Sequence, residues 1–163
     1  MDIKHSKIAR QTGFSLVELL VTLTVAAVVL SVAAPSMSGL IQNNRIVSQA
    51  NQFVAAVTYA RSESIKRGAL VDIVATSPIT ADEFGGGWTV QLNGGATLRV
   101  FQALDGSSTL DSDTNITTVQ YAPTGRANVT ETFSLCDNRK GETGRRLSIS
   151  STGRISVSEL DCL

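Results

Sequence analysis

One long apolar segment near the N-terminus limits the fold most strongly. It runs from Phe14 to Ala34, and its one charged residue is Glu18. As a helix, roughly 20 apolar residues can cross a bilayer core of about 30 Å. Three basic residues precede the segment: Lys4, Lys7 and Arg10. Positive charge on that side predicts a single-pass membrane protein with a cytoplasmic N-terminus and an exported C-terminal domain.

A cleaved secretory signal peptide and a plain signal anchor are the two ordinary interpretations of this segment. The apolar core of a signal peptide usually has about 7–15 residues and ends at small residues. The segment here is longer, and Pro35 would follow a cut after Ala34, which is unfavourable. Neither interpretation explains Glu18. A carboxylate at mid-bilayer costs about 2.5–3.5 kcal/mol, and although Glu18 is near the cytoplasmic end, it is a functional candidate that needs a partner.

Residues 13–18, GFSLVE, resemble the processing site of type IV prepilins. Family members have a basic leader that ends in Gly, then Phe, and Glu as the fifth mature residue. The resemblance implies that residues 1–13 are a leader, that a prepilin peptidase cuts after Gly13, and that Phe14 is N-methylated. The new α-ammonium group of Phe14 is cationic at neutral pH. It would pair with Glu18 of a neighbouring subunit, and such a desolvated pair would set the register of a filament.

The helical pattern continues beyond Pro35 and ends near Gly68, a residue that suits a helix C-terminus. Spacings of three and four predict one apolar stripe, formed by Met37, Leu40, Ile41, Asn44, Val47, Ala50, Phe53, Val54, Val57, Ala60 and Ile65. The residues assigned to the polar face are Gln42, Asn43, Arg45, Gln49, Asn51, Gln52 and Glu63. We therefore predict one helix with two functions. Residues 14–35 would serve insertion and polymerisation, and residues 36–67 would pack on a sheet.

From residue 68 to residue 163 the apolar period changes to two, which is typical of strands. The predicted strands are 70–76, 88–92, 97–102, 116–121, 132–136, 145–150 and 154–158. Gly-rich and Pro-containing turns separate them, and Trp88 is assigned to the core. The predicted fold class is α+β, of the type IV pilin kind: a long N-terminal helix packed on an antiparallel β-rich domain, with two small sheets.

The C-terminal half resembles the GspH, FimT and FimU branch of minor pilins and pseudopilins, with FimU the most similar. The residues that carry this resemblance are Trp88 and the segments 121–126, 136–139 and 145–154. It implies a minor pilin that primes assembly and links a tip complex to the pilus shaft. The implied partners are other minor pilins and the major pilin, and the protein would move from the inner membrane, with a periplasmic domain, to the pilus on the cell surface. A type II secretion pseudopilin is the alternative with the same fold and processing.

Two cysteines, Cys136 and Cys162, lie near the C-terminus. A single disulfide that closes the C-terminal segment and staples the last two strands is expected in an exported domain. Two reduced, buried thiols are the alternative if the domain is cytosolic.

Five basic residues near the C-terminus suggest a second, less favoured function. They are Arg139, Lys140, Arg145, Arg146 and Arg154. In FimT-like pilins linked to natural transformation, a Gly-Arg-x-Arg motif in this region is associated with DNA binding, and Gly153-Arg154-Ile155-Ser156 retains its first arginine alone. Alternation along a strand would also send Arg145 and Arg146 to opposite faces. A solvated hairpin or contacts to neighbouring pilins is the favoured interpretation.

The residue inventory disfavours an enzyme, and no cofactor or metal is expected. The one histidine is His5, so an exported catalytic triad with histidine is excluded. The alternating oxygen ligands of residues 111–115 lack the Gly and bidentate Glu of a calcium loop, and a polar surface loop is the favoured interpretation.

Overall fold

The computed structural model describes residues 13–162, without the side chains at positions 32 and 34–36. Its first element is α1, Leu16–Arg67, which runs through Pro35 as one helix. The chain forms two compact units, one that ends at Leu40 and one that begins at Ile41. Of the predicted leader, residues 1–12 lie outside the described residues. No helix over the described residues is both long and apolar enough to cross a membrane, so the predicted membrane span stays a prediction.

In the second unit, α1 buries one stripe of residues spaced three and four apart. They are Ile46, Gln49, Ala50, Phe53, Ala56, Val57, Ala60, Glu63 and Ser64. The predicted stripe is wrong at four positions in this unit, since Ile41 (61%), Asn44, Val47 (38%) and Ile65 (53%) are all exposed. It is also wrong for Gln49, which is buried because its Nε2 donates to the carbonyl of Asp105 at 2.9 Å. Polar groups join the buried face where the fold gives them partners.

Glu63 is a second polar residue on the buried face of α1. Its carboxylate accepts a hydrogen bond from Nε of Arg67, one turn later, and Lys66 lies 3.7 Å away. The Arg67 hydrogen bond, followed by the charges of Arg67 and Lys66, lowers the pKa of Glu63. The pair holds the last turn of α1, which ends before Gly68, where φ is +61°.

Eight strands follow the helix and form two antiparallel sheets of four. They are β1 (Val71–Ala75), β2 (Trp88–Leu92), β3 (Thr97–Phe101), β4 (Thr109–Ser112), β5 (Thr118–Tyr121), β6 (Glu131–Cys136), β7 (Thr143–Ile149) and β8 (Ile155–Asp161). The first sheet has the order β3-β2-β1-β5 and the second has the order β4-β6-β7-β8. The predicted α+β class with two small sheets is therefore confirmed.

The strand β4 was not predicted from the sequence. Its residues read TLDS, and Leu110 is its one large apolar side chain, so the sequence shows no alternation of apolar and polar residues that would mark a strand. The strand forms because β6 offers it a complete ladder, from Thr109 opposite Cys136 to Ser112 opposite Phe133. The prediction that residues 111–115 form a loop is therefore wrong for Asp111 and Ser112, which lie in β4.

An aromatic cluster around Phe53 joins α1 to both sheets. The ring centroid of Phe53 lies 5.2 Å from that of Trp88 in β2 and 4.9 Å from that of Phe133 in β6. Phe84, from the loop between β1 and β2, lies 5.6 Å from Phe53. All four side chains are fully buried, which confirms Trp88 as a core residue. Edge-to-face contacts of this kind add to the area that the rings bury.

Candidate functional site

The residues of the predicted processing site lie at the start of α1. Gly13, Phe14 and Ser15 precede the helix, and Glu18 is in its first turn. The hydroxyl of Ser15 accepts a hydrogen bond from the backbone N–H of Glu18 at 3.2 Å. Ser at the N-cap followed three residues later by Glu is a capping-box sequence, and a negative charge in the first turn suits the helix dipole. Glu18 therefore has a local reason for its position besides any role in assembly.

The apolar residues after Ser15 are unpacked on the surface of the first unit. Phe14 is 79% exposed and Leu16 is 77% exposed, and the large side chains of the segment stay more than half exposed as far as Leu30. Two threonine hydroxyls form hydrogen bonds with the backbone of their own helix. Thr22 donates to the carbonyl of Leu19, and Thr24 donates to that of Leu20. Contiguous exposed apolar surface of this extent marks a contact with protein or lipid.

Cys136 and Cys162 form a disulfide with a Cα–Cα distance of 5.9 Å. Cys136 ends β6 and Cys162 follows β8, so the bond joins two strands that are separated in the sheet by β7. The expectation that it staples the last two strands is therefore wrong, because β7 and β8 are already neighbours. Gly144 in β7 lies under the bond: a Cβ there would lie 2.5 Å from Sγ of Cys162 and 3.0 Å from Sγ of Cys136.

The structure divides the five candidate basic residues into two groups. Arg139 is occupied: its Nε donates to both carboxylate oxygens of Asp137 at 3.1 and 2.9 Å, and its Nη2 donates to Asn43 at 2.9 Å. Arg145 lies 3.7 Å from the carboxylate of Glu159. Lys140, Arg146 and Arg154 are exposed. Within residues 13–162 none of these three forms an ion pair.

Arg145 and Arg146 lie on opposite faces of β7, as their alternation predicts. Arg145 is in register with Leu135 and Glu159, and Arg146 is in register with Ser134 and Ser158. The structure thus does not bring the five cations together on one surface. Affinity for phosphates requires several unpaired cations along one surface.

Two turns with the same tripeptide lie against each other in the second unit. One contains Thr124-Gly125-Arg126 and the other contains Thr152-Gly153-Arg154, between β7 and β8. Their hydrogen bonds are the same: Gly125 N–H donates to the carbonyl of Ala122, and Gly153 N–H donates to that of Ser150, each at 2.8 Å. Both glycines have φ of +75°. Turns of this kind require a left-handed residue, which glycine adopts without strain.

Arg61 of α1 holds this pair of turns, and sequence analysis did not select it. Its Nε donates to the carbonyl of Gly125 at 3.0 Å. A Cβ on Gly153 would lie only 2.1 Å from that same carbonyl oxygen, so the turns are in backbone contact. The repeated Thr-Gly-Arg tripeptide is visible in the sequence. The sequence of α1, however, does not indicate that Arg61 contacts one of these turns.

A group of acidic residues lies at the β4 edge of the second sheet. The carboxylate of Asp82 accepts from the N–H of Leu110 at 2.8 Å, and that of Glu83 accepts from the N–H of Ser112 at 3.0 Å. Burial raises the pKa of Asp82. Burial, followed by a hydrogen bond with Glu83 and by its charge, raises the pKa of Asp111. In the part of the chain that the structure describes, no group of acidic, histidine or cysteine side chains could hold a metal ion.

Comparison with protein families gives two matches that together span most of the chain. Residues 49–153 match the model of the type II transport protein GspH. Residues 8–34 match the prokaryotic N-terminal methylation motif. The chain belongs to the GspH family. This match begins in the second unit on α1 and ends at Gly153, in the turn before β8.

Two solved structures share the fold of this GspH-family chain. Both are crystal structures of the type IV minor pilin FimU from Pseudomonas aeruginosa, in two crystal forms. One is 26% identical, with a TM-score of 0.63, and covers 72% of this chain and 90% of its own. The other is 29% identical, with a TM-score of 0.59, and covers 68% and 90%. Comparison with curated proteins gave no match. The resemblance to the GspH, FimT and FimU branch is confirmed, and so is the pilin fold.

Proposed function

We propose that this chain is a minor pilin, a low-abundance subunit that is incorporated in a type IV pilus, primes its assembly and links a tip complex to the shaft. The start of α1 carries the proposal. Gly13 and Phe14 directly precede a capped helix that has Glu18 in its first turn and exposed apolar side chains beyond it. The match to the methylation motif and the likeness to FimU support the same function.

Processing at the N-terminus creates the group that Glu18 needs. In the proposal a prepilin peptidase cuts after Gly13 and methylates the amine of Phe14. The ammonium group and the carboxylate are both costly in an apolar medium, and each neutralises the other when a new subunit meets its neighbour. A subunit whose Glu18 is unpaired pays this cost in full, so the pair fixes the axial position of each helix.

The same segment determines where the protein resides before and after assembly. In the proposal residues 14–35 hold the precursor in the inner membrane, with the second unit in the periplasm, and contacts with the major pilin and other minor pilins replace the lipid in the filament. The function is structural rather than enzymatic. The disulfide between Cys136 and Cys162 is consistent with an oxidising compartment.

Mass spectrometry of sheared surface filaments tests this proposal. The wild-type subunit should be present and should begin at methylated Phe14. Glu18→Gln keeps the side-chain length and the capping geometry but removes the charge, so it should enter filaments as poorly as Glu18→Ala. Thr22→Val is the matched control, because the Thr22 hydroxyl bonds within its own helix, and it should assemble normally. Recovery of uncut precursor, or normal assembly of Glu18→Gln, contradicts the proposal.

A pseudopilin in the filament of a type II secretion system is the second candidate. The description of the matching family as a type II transport protein favours it. Both candidates share the processing site and the fold, so the filament that contains the subunit separates them. Deletion of the gene should reduce surface pili if the first is right, and protein secretion if the second is right.

A further inference from the structure

A small cationic pocket lies where α1 meets the turn between β7 and β8. Its volume is about 170 Å³, and its lining comprises Val57, Thr58, Arg61, Gly153, Arg154 and Ile155. Two of these six residues are arginines and none is acidic. Val57 and Ile155 provide apolar walls, and Thr58 provides a hydroxyl group. The pocket is large enough for one small anionic group.

The geometry of the pocket is fixed by the two Thr-Gly-Arg turns. Arg61 is oriented by the bond from its Nε to the carbonyl of Gly125, which leaves its two terminal nitrogens for another acceptor. A Cβ on Gly153 would lie 2.1 Å from the Gly125 carbonyl oxygen and 3.0 Å from Cε1 of Tyr121. These close approaches fix the backbone before Arg154, and Arg154 lines the same pocket as Arg61. Arg61 and the backbone of the turn are therefore in place before a ligand arrives.

Four other arginines of the second unit are in ion pairs, and in the described part of the chain the two arginines of the pocket are not. Arg45 and Arg139 share Asp137, Arg67 pairs with Glu63, and Arg145 pairs with Glu159. Within the described residues, neither Arg61 nor Arg154 forms an ion pair. Two unpaired guanidinium groups in one concave site repel each other unless an anion lies between them, and a carboxylate fits their planar donors.

We propose that the Arg61–Arg154 pocket binds a carboxylate side chain of a neighbouring subunit in the filament. This inference rests on the proposed function, and it names a lateral contact of the second unit in addition to the helix contacts of α1. The side chain would enter with its carboxylate between the guanidinium groups and its methylene carbons against Val57 and Ile155. A protein contact is favoured over DNA because the pocket holds one anion, whereas Arg139 and Arg145, which would extend a phosphate track, are already paired.

The fold also carries the complementary surface. In the sheet β4-β6-β7-β8, Arg154 precedes β8 at one edge, and the exposed Asp113 directly follows β4, the strand at the other edge. Opposite charge on opposite edges suits a head-to-tail contact, in which the two subunits use different surfaces and the array stays open. A subunit of the same fold can therefore present a carboxylate to the pocket.

Zero-length cross-linking in intact filaments tests this contact. Arg154→Lys places a primary amine in the pocket, and a carbodiimide joins an amine only to a carboxylate that it touches. Peptide mapping should identify Lys at this position bonded to an Asp or Glu of another filament subunit. Arg126→Lys is the matched control, because Arg126 has the equivalent place in the other turn, is exposed and does not line the pocket. It should give no such product.

A second experiment, in solution and without filaments, distinguishes the kinds of anion that the pocket could bind. The melting temperature of the full chain in non-ionic detergent would be measured with a capped Gly-Glu-Gly peptide, its Gln analogue, inorganic phosphate and a DNA duplex, at matched ionic strength. Of these four ligands, only the peptide that contains Glu should raise the melting temperature. Arg154→Gln should weaken binding roughly tenfold or more, and Arg126→Gln should not.

Each outcome decides between specific alternatives. Subunits with Arg154→Lys that enter filaments but give no bonded carboxylate overturn the proposed contact. Salt-sensitive DNA binding that Arg154→Gln abolishes overturns it in favour of a phosphate site. Absence of the wild-type subunit from filaments contradicts the proposed function, and in that case the peptide titration still shows whether the pocket binds a carboxylate.

Discussion

Asp111 shows how one carboxyl group can oppose the stability of its own strand. It lies in β4 and shares a hydrogen bond with Glu83, and burial with this neighbour raises its pKa above the ordinary value of 3.8. The folded chain thus retains a proton in a pH range where the unfolded chain has lost it. Native stability falls as pH rises through that range, because ionisation leaves two carboxylates together.

We therefore expect Asp111→Asn to stabilise the protein at neutral pH. The amide can donate to Glu83 as the protonated acid does, without the like-charge repulsion. The melting temperature at pH 7 should rise by roughly 1–2 °C, and the gain should disappear near pH 3, where Asp111 of the wild type is protonated. Thermal melts from pH 3 to pH 8 measure this. Asp161→Asn, an exposed change in β8, should show no such gain.

At the scale of elements, the disulfide links two strands that are not neighbours in the sheet, rather than the two strands of one hairpin. It joins the end of β6 to the residue after β8, and β7 passes beneath it at Gly144. The strand β8 is at the edge of the sheet, and its outer residues are mostly exposed. The covalent link therefore holds an edge strand that buries little surface of its own.

Replacement of both cysteines, Cys136→Ser with Cys162→Ser, should lower the free energy of unfolding by about 3–4 kcal/mol. The bond closes a loop with a sequence separation of 26 residues, and the chain-entropy model gives this magnitude. Denaturant titration with and without reductant measures it: wild type and variant should differ in oxidising buffer and agree after reduction. Equal stability in both buffers would show that the bond contributes nothing.

Gly144→Ala should destabilise the same region for a steric reason. The added Cβ would lie 2.4 Å from the carbonyl oxygen of Leu135 and 2.5 Å from Sγ of Cys162. Overpacking of this kind costs about 1–3 kcal/mol. Denaturant titration of the variant beside Thr143→Ala, an exposed neighbour in β7, isolates the effect. A loss equal to that of the control would mean that the sheet adjusts freely around the bond.

At the scale of the whole molecule, the second unit depends on one aromatic cluster in which α1 meets both sheets. Phe53 contacts Trp88 of the first sheet and Phe133 of the second. The core is thus organised around the helix rather than between the sheets.

Phe53→Ala should therefore lower the free energy of unfolding by about 3–5 kcal/mol, since it leaves a cavity among rigid rings. Both sheets should lose order in one transition, because they share this contact. Intrinsic fluorescence of Trp88 reports the first sheet, and far-ultraviolet circular dichroism reports the whole. Val47→Ala, on the exposed side of the same helix, should cost about 0.5 kcal/mol or less. Separate transitions for the two probes would contradict the shared core.

The sequence by itself determined the elements and the family. The apolar run, the GFSLVE segment and the change of period after Gly68 depend on near neighbours in the chain, and such local patterns specify a long helix, seven of the eight strands and the α+β class. The two cysteines likewise indicated their own pairing. Local periodicity placed Gln49 and Glu63 on the wrong face of α1, because a buried polar residue depends on partners elsewhere.

The tertiary structure alone decided which distant residues meet. Strand β4 exists because β6 pairs with it, and the disulfide spans β7 because the strand order places β6 and β8 on either side. Arg139 and Arg145 are charged in the sequence but paired in the fold, whereas Arg61 joins Arg154 from almost a hundred positions away. Such contacts depend on the packing of helix and sheets, and packing is a property of the folded chain rather than of any segment of it.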